Sequence, residues 1–318
     1  MKRILSVLLS LCLMLTAVSA LAAGGINIAI NGQDGFDSYV ESLFVWDGRL
    51  LMPSYNGMYA WSPEGGLVQV EGYDELDQAL KDEDGKLILD TDIKDGYAYM
   101  DAAVYAVDDK LYRLTTVSKE DENEAFMVEM CIAEDGTLSL GESVRLDEDM
   151  FVEEENYLFP RRLDSAVGFG SMLYGTSYGA EGLELLSIDM EDGDVEVMDL
   201  DVDGEIRSMS RFVDGKLLIV TEDYNQDPML TQLLSFDLDS EEADVLGDMP
   251  RNGWQSPTGI SYDEERGQVY YALGGSVWRM PVTEDGIGAS VEFGTEEREA
   301  RRSECTQPIP IHIASSTV

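Results

Sequence analysis

An all-β fold assembled from repeated four-stranded antiparallel units is predicted by three observations. Short apolar runs alternate with tight acidic or Gly-containing turns from about residue 40 to residue 293. These runs recur in one order, hairpin after hairpin, along the chain. Helical periodicity is nearly absent, and only a short helix around 74–81 is expected.

Each unit opens with an apolar run, a tight polar turn and a second apolar run. The copies read SLFVWDGRLLM at 42–52, AVYAVDDKLYRL at 103–114, AVGFGSMLYGT at 166–176 and SRFVDGKLLIV at 210–220. A longer copy, GISYDEERGQVYYAL, occupies 259–273. Asp and Gly sit at the turns because they tolerate the positive φ that tight hairpins need. A second hairpin follows every time: MYAWSPEGGLVQV, VEMCIAEDGTLSL, LELLSIDMEDGDVEVM, TQLLSFDLDSEEADVL and SVWRMPVTEDGIGASVEF. With Gly48, Asp109, Gly170, Gly215 and Gly267 as markers, the units are spaced by 61, 61, 45 and 52 residues. A propeller blade takes roughly 40–50 residues, so the long intervals carry insertions, the clearest being the acidic stretch 74–95.

This pattern, covering residues 40–293, resembles the β-propellers of secreted bacterial proteins. It lacks the recurring Gly-His…Trp-Asp pairs of WD40 repeats. Five blades are readable, which fits a five-bladed propeller or an incomplete six-bladed one. A propeller must close, because an open end exposes an unpaired edge. The alternating segment Gly25–Ile30 is a candidate closing strand. The style is also similar to the N-terminal propeller of certain extracellular solute-binding proteins, although their binding domain has no counterpart in this chain. That resemblance implies a role in solute uptake.

Composition narrows the function. Against 64 Asp+Glu stand 21 Lys+Arg, a formal charge of −43. Nucleic-acid binding through phosphates needs clustered cations and is excluded as an expectation. The apolar fraction of 44% is too high for an acidic disordered chain. The only histidine is His312, so Ser-His-Asp triads and multi-histidine metal sites cannot be built on the body. Beyond Cys12 in the leader the cysteines are Cys131 and Cys305, too few for a disulfide framework. Cys131 lies in an apolar run and is expected to be a buried core thiol.

Residues 1–22 read as a signal peptide: Lys2 and Arg3, an apolar stretch from Ile4 to Val18, and the small-x-small site Ala20-Leu21-Ala22. Export follows, to the periplasm, the cell surface or the medium, with no membrane-spanning segment after cleavage. The propeller is assigned to 23–294. Residues 295–318 break the pattern and read as a disordered tail, or as the mark of a blade series cut short by a frameshift or truncation.

Two sets of candidate site residues emerge. Asp199, Asp201 and Asp203, followed by Gly204 and Glu205, alternate as in loops that fold around Ca²⁺. Arg207 and Ser210 stand where an EF-hand carries its later ligands, so a looser calcium loop or a solvated acidic turn is expected instead. The second set is Arg161, Arg162, Tyr178, Tyr224 and Trp254. All lie between strands two and three of a unit, or just before strand one, and in a propeller these connections share one face. Guanidinium groups there can grip polar ligands and flat rings can stack on them. Neutralisation of Glu153, Glu154 and Glu155 by the arginines, and rim packing by the rings, are the structural alternatives.

The expected function is a non-catalytic binding or interaction module outside the membrane, taking a small molecule, a glycan or a protein. The alternatives are a carbohydrate-active enzyme using Asp/Glu pairs and a calcium-stabilised structural domain. No cofactor is required by the sequence; Ca²⁺ is the one candidate.

Overall fold

The computed structural model describes residues 44–292 except 47–48, 55–56, 63–65, 74–75, 133–136, 155–156, 180–181 and the single positions 83, 85, 94, 102, 121, 199, 201, 214, 227, 254 and 275. The signal peptide, the Gly25–Ile30 segment, the tail, Trp254, Asp199 and Asp201 therefore lie outside the described residues.

Among the described residues five antiparallel sheets follow one another and form the blades of a β-propeller. Blade 1 is β1 (Phe44–Trp46), β2 (Arg49–Ser54), β3 (Gly57–Ser62) and β4 (Gly66–Val70). Blade 2 is β5 (Tyr97–Met100), β6 (Tyr105–Val107), β7 (Lys110–Lys119), β8 (Glu122–Ile132) and β9 (Leu138–Leu146). Its inner strand is split, since β6 and β5 pair in succession with the long β7. Blade 3 is β12 (Ser165–Phe169), β13 (Met172–Gly179), β14 (Gly182–Asp189) and β15 (Val195–Met198). Blade 4 is β16 (Glu205–Arg211), β17 (Lys216–Asp223), β18 (Leu230–Asp237) and β19 (Glu242–Asp248). Blade 5 is β20 (Thr258–Asp263), β21 (Gln268–Leu273) and β22 (Ser276–Thr283), with the short β23 (Gly286–Ile287) and β24 (Val291–Glu292) sharing its outer edge. Every hairpin read from the repeats is present.

The turns form for the expected reason. Asp108, Gly170, Gly215 and Gly267, each between strands one and two of a blade, have φ of 52°, 60°, 75° and 59°. These turns mark what we term the lower face; the connections between strands two and three mark the upper face.

Strands in the blades are buried on both sides, so their runs are apolar without strict alternation. Leu217 and Ile219 of β17 point one way and pack with Tyr174 and Leu185 of blade 3. Leu218 and Val220 point the other way and pack with Ile260, Val269 and Tyr271 of blade 5. Blade 2 meets blade 1 through Phe126, Val128 and Met130, and meets blade 3 through Leu114, Met127 and Leu146. The core is thus a stack of apolar layers between blades. At the centre, polar side chains join inner strands: the Ile260 and Tyr262 N–H groups donate to Ser208 Oγ and Ser210 Oγ, both at 3.0 Å.

The acidic insertion supplies the expected helix, α1 (Leu76–Ala79). Leu76, Leu80, Leu89 and Ile93 close the layer between blades 1 and 2. Glu124 of β8 fixes its far end, accepting from Thr91 Oγ1 at 2.6 Å and from Arg145 Nη2 at 2.9 Å.

Two features depart from expectation. Cys131 is exposed, not a core thiol. Plain alternation along β8 sets Phe126, Val128 and Met130 against blade 1, so Cys131 shares the other face of the strand with Glu129, where the apolar layer has ended. A further hairpin, β10 (Phe151–Glu154) with β11 (Tyr157–Pro160), lies between blades 2 and 3. It is launched by a 3₁₀ turn at Glu148–Met150, capped by Asp147. Asp147 also accepts from Val195 N–H at 2.9 Å, which ties the turn to blade 3.

Candidate site at the junction of blades 3 and 4

A cavity of about 240 Å³ opens on the upper face where blades 3 and 4 meet. Blade 3 contributes Asp164, Ser165, Thr176, Tyr178 and Leu183; blade 4 contributes Glu205, Ile206 and Arg207. Local strand chemistry explains the opening. Ser165 pairs with Thr176 across β12 and β13, and Glu205 pairs with Glu222 across β16 and β17. At this level polar residues replace the apolar ones that fill the layer below, so the layer ends and the cavity begins.

Arg207 is held from behind. Glu222, only 2% exposed, accepts from Arg207 Nε at 2.7 Å, from Tyr224 Oη at 2.7 Å and from Arg251 Nη1 at 2.5 Å. Ser256 Oγ donates to the same carboxylate, and Arg251 also donates to Thr231 Oγ1 at 2.6 Å. Burial raises the pKa of Glu222, but donation from Ser256, Arg207 and Arg251 outweighs it, and the carboxyl is held below its usual range. The guanidinium of Arg207 lies 5.5 Å from the Tyr224 ring centre, a cation–π contact. Its Nη1 is 3.6 Å from Glu205. Arg207 is thus fixed by a carboxylate and a ring and keeps one edge in the cavity.

The residues singled out from the sequence fall in different places. Tyr178 lines the cavity and is 58% exposed. Tyr224 stands behind Arg207, and its ring is half-exposed. Arg162 is exposed and reaches Asp164 at 3.9 Å. Arg161 is buried: its Nε donates to the Asp149 carbonyl at 2.8 Å and its Nη1 pairs with Glu184. Among the described residues the partners of the arginine doublet are thus Asp164 and Glu184, with the Asp149 carbonyl.

Of the candidate calcium loop, Glu205 lines the cavity. Asp203 is exposed at its edge of blade 4. Gly204 has a structural duty of its own: its φ is +94°, and a Cβ there would lie 2.5 Å from the Glu222 carbonyl oxygen. Among the described residues no three Asp, Glu, His or Cys side chains gather as a metal site.

Sequence reasoning did not single out Asp164 or Glu222, and read Arg207 only as a departure from a calcium motif. One signal was available. The second strands of blades 3 and 4 carry, toward their upper ends, Thr176-Ser177 and Thr221-Glu222, polar pairs closing apolar runs at equivalent repeat positions.

No protein-family model matches the chain, and no curated protein matches it. Similar solved structures include a nidogen/laminin complex, at 13% identity over 77% of this chain and 75% of that chain, with a TM-score of 0.42. Another is the PQQ-bound aldose sugar dehydrogenase of Streptomyces coelicolor, at 15% identity over 80% and 84%, with a TM-score of 0.42. TolB of Acinetobacter baumannii shares 14% identity over 79% of this chain and 54% of that chain, again at 0.42. The chain spans about half of that TolB chain. The propeller assignment rests on this chain's own strand pairing and layers.

Proposed function

We propose that the chain is an exported, non-catalytic binding propeller whose ligand, a neutral hydroxyl-rich molecule, sits between blades 3 and 4. The cavity's charge balance carries this reading. Two carboxylates, Asp164 and Glu205, line the cavity with one guanidinium, Arg207, and the exposed Arg162 meets Asp164 from outside the lining. Such a mixed lining disfavours an anion and offers both acceptors and a donor. It matches hydroxyl groups, which donate to carboxylates and accept from guanidinium, while the exposed Tyr178 ring offers a stacking surface. The volume lies just under the roughly 300–1,000 Å³ of sites for drug-sized ligands and suits one small ring. A net charge of −43 adds a general repulsion of acidic ligands.

In the cell the module serves solute capture outside the membrane. No helix among the described residues is long and apolar enough to cross a membrane. N-terminal sequencing of secreted protein tests export: a mature chain starting at Ala23 supports it, and retention of residues 1–22 refutes it.

A glycan array with wild type and Tyr178→Ala tests the ligand class. Binding of neutral sugars that is lost in the variant supports the reading, and binding confined to acidic or cationic ligands overturns it. Glycoside hydrolysis is the second reading, because Asp164 and Glu205 come from opposite blades around one cavity. Product release that disappears in both Asp164→Asn and Glu205→Gln would establish it in place of simple binding.

A further inference from the structure

Arg207 is placed by an irregularity in its own strand. On β16 Ile206 partners Thr221 of β17, and Ser208 partners the adjacent residue, Val220. Arg207 is therefore the extra residue of a β-bulge and has no partner of its own on β17. The extra residue reverses the alternation of side chains. Regular pairing would put Ile206 and Ser208 on one face. Instead Ile206 lines the cavity, whereas Ser208 faces blade 5 and accepts from the Ile260 N–H. Arg207 sits at the reversal. It lines the cavity between blades 3 and 4, and its Nε reaches Glu222.

Glu222 belongs to the other side of blade 4. It shares the pleat face of Leu218 and Val220, the face that packs on blade 5. It is 2% exposed and is not part of the cavity lining. Its two oxygens have separate duties. Oε2 accepts from Arg207 Nε and from Tyr224 Oη. Oε1 accepts from Arg251 Nη1 and Ser256 Oγ, both in the connection that leads into blade 5. A buried carboxylate thus serves as counter-ion to the one guanidinium of the cavity lining without reaching the cavity.

This arrangement sets the charge that a ligand meets. With Glu222 ionised, Arg207 offers the cavity a hydrogen-bond donor whose charge is already compensated. Asp164 and Glu205 then decide the sign of the field, and a ligand carboxylate is repelled. Without the Glu222 charge, Arg207 loses its buried counter-ion and becomes an anchor for that same carboxylate.

Resting on the reading of the cavity as a site for neutral, hydroxyl-rich ligands, we propose that Glu222 is its specificity-determining residue. Acting through Arg207, it makes the site prefer a neutral sugar over the matching uronate. It is a positioning residue, since it touches no ligand.

The test uses the full chain, titrated by calorimetry at pH 7 with pairs that differ at C6: glucose and glucuronate, galactose and galacturonate, mannose and mannuronate. Wild type is expected to bind the neutral member of at least one pair more tightly. Glu222→Gln raises the uronate-to-neutral affinity ratio of that pair about tenfold or more, a step of about 1.4 kcal/mol. In an Arg207→Gln background the same substitution leaves the ratio unchanged, because the effect passes through Arg207. A merely structural role would lower both affinities together and leave the ratio alone. Glu222→Gln combined with Arg251→Gln removes both buried charges at once, which is far less costly than removing one. This second variant carries the test if the single one fails to fold, and it keeps the shift. An unchanged ratio in these variants, or an equal shift in the Arg207→Gln background, overturns the role of Glu222 and leaves the neutral-ligand reading standing. Wild type that binds no member of any pair, or that prefers the uronates, overturns both.

Discussion

Replacing Glu222 by Gln probes the support of the candidate site. The carboxylate is 2% exposed and serves four donors: Arg207, Arg251, Tyr224 and Ser256. The substitution keeps the shape but removes the charge, leaving two guanidinium groups without their buried counter-ion. Breaking a buried ion pair costs about 3–5 kcal/mol. Arg207 is 37% exposed and partly solvated, so its share is discounted, while Arg251 at 15% is not. The lower end, about 3 kcal/mol, is expected, which for a domain of this size lowers Tm by on the order of 10 °C. Thermal melts followed by circular dichroism at pH 7 read this directly.

The pH dependence supplies an independent arm. The folded-state pKa of Glu222 is lowered, so the native state binds fewer protons than the unfolded chain. Its contribution is complete above the unfolded carboxyl pKa and is lost as pH falls through the depressed folded value. The gap between wild type and Glu222→Gln must therefore be widest near neutrality and shrink in acid. A Tm difference under about 2 °C at pH 7, or a gap that widens in acid, would refute the reasoning.

Three further perturbations have defined outcomes. Ser208→Ala removes the acceptor of the Ile260 N–H between blades 4 and 5 and should cost about 1–3 kcal/mol, read as a lower urea midpoint. Gly204→Ala places a Cβ against the Glu222 carbonyl at a φ of +94° and should cost at least about 1–3 kcal/mol, with loss of ligand binding as Glu205 and Arg207 shift. Cys131 should react with a thiol reagent in the folded protein, but slowly at pH 7, because partial desolvation of the thiolate and then the Glu129 carboxylate hold its pKa up. Glu129→Gln should speed that reaction, and an unreactive Cys131 in both proteins would show that it is buried after all.

The blades were legible because each is local. An Asp or Gly turn between apolar runs declares a hairpin within a dozen residues, and five repetitions made the pattern secure. The site was less legible because it is assembled between blades. Tyr178 and Tyr224 could be found as rings on one class of connection. Their different settings could not, since these depend on Arg207, which the chain presents inside an acidic, calcium-like run. Arg161 and Arg162 look equivalent in sequence, but one is the residue after β11 that turns into blade 3 and the next faces water. Cys131 was misread for the opposite reason: the signal was local and present, since period-2 alternation puts Cys131 on the face of Glu129 and not on that of Val128 and Met130.

The two faces of the propeller divide the work, and the geometry of the turns explains why. On the lower face blades 2 to 5 each join strands one and two in a tight turn, with Asp108, Gly170, Gly215 and Gly267 at positive φ, and so little side-chain surface can be presented there. On the upper face the connections from one blade to the next are longer and blade 2 projects, its β7 and β8 running to 10 and 11 residues where β13, β14, β17 and β18 have 8 each. Apolar layers between blades can extend only as far as both neighbours supply apolar rows. Where blade 2 outruns blade 3, its rings Tyr97 and Tyr99 stand exposed. Where Ser165 and Glu205 begin their strands with polar side chains, the layer stops and a cavity remains. Both features follow from strand length and from the first residue of each inner strand. Shortening the upper end of β7 and β8 by a matched pair of residues should therefore remove the projecting ring-bearing edge of blade 2 while leaving the cavity between blades 3 and 4 and its Glu222 support intact, read as ligand binding and a Glu222→Gln melting gap that match those of the full-length strands.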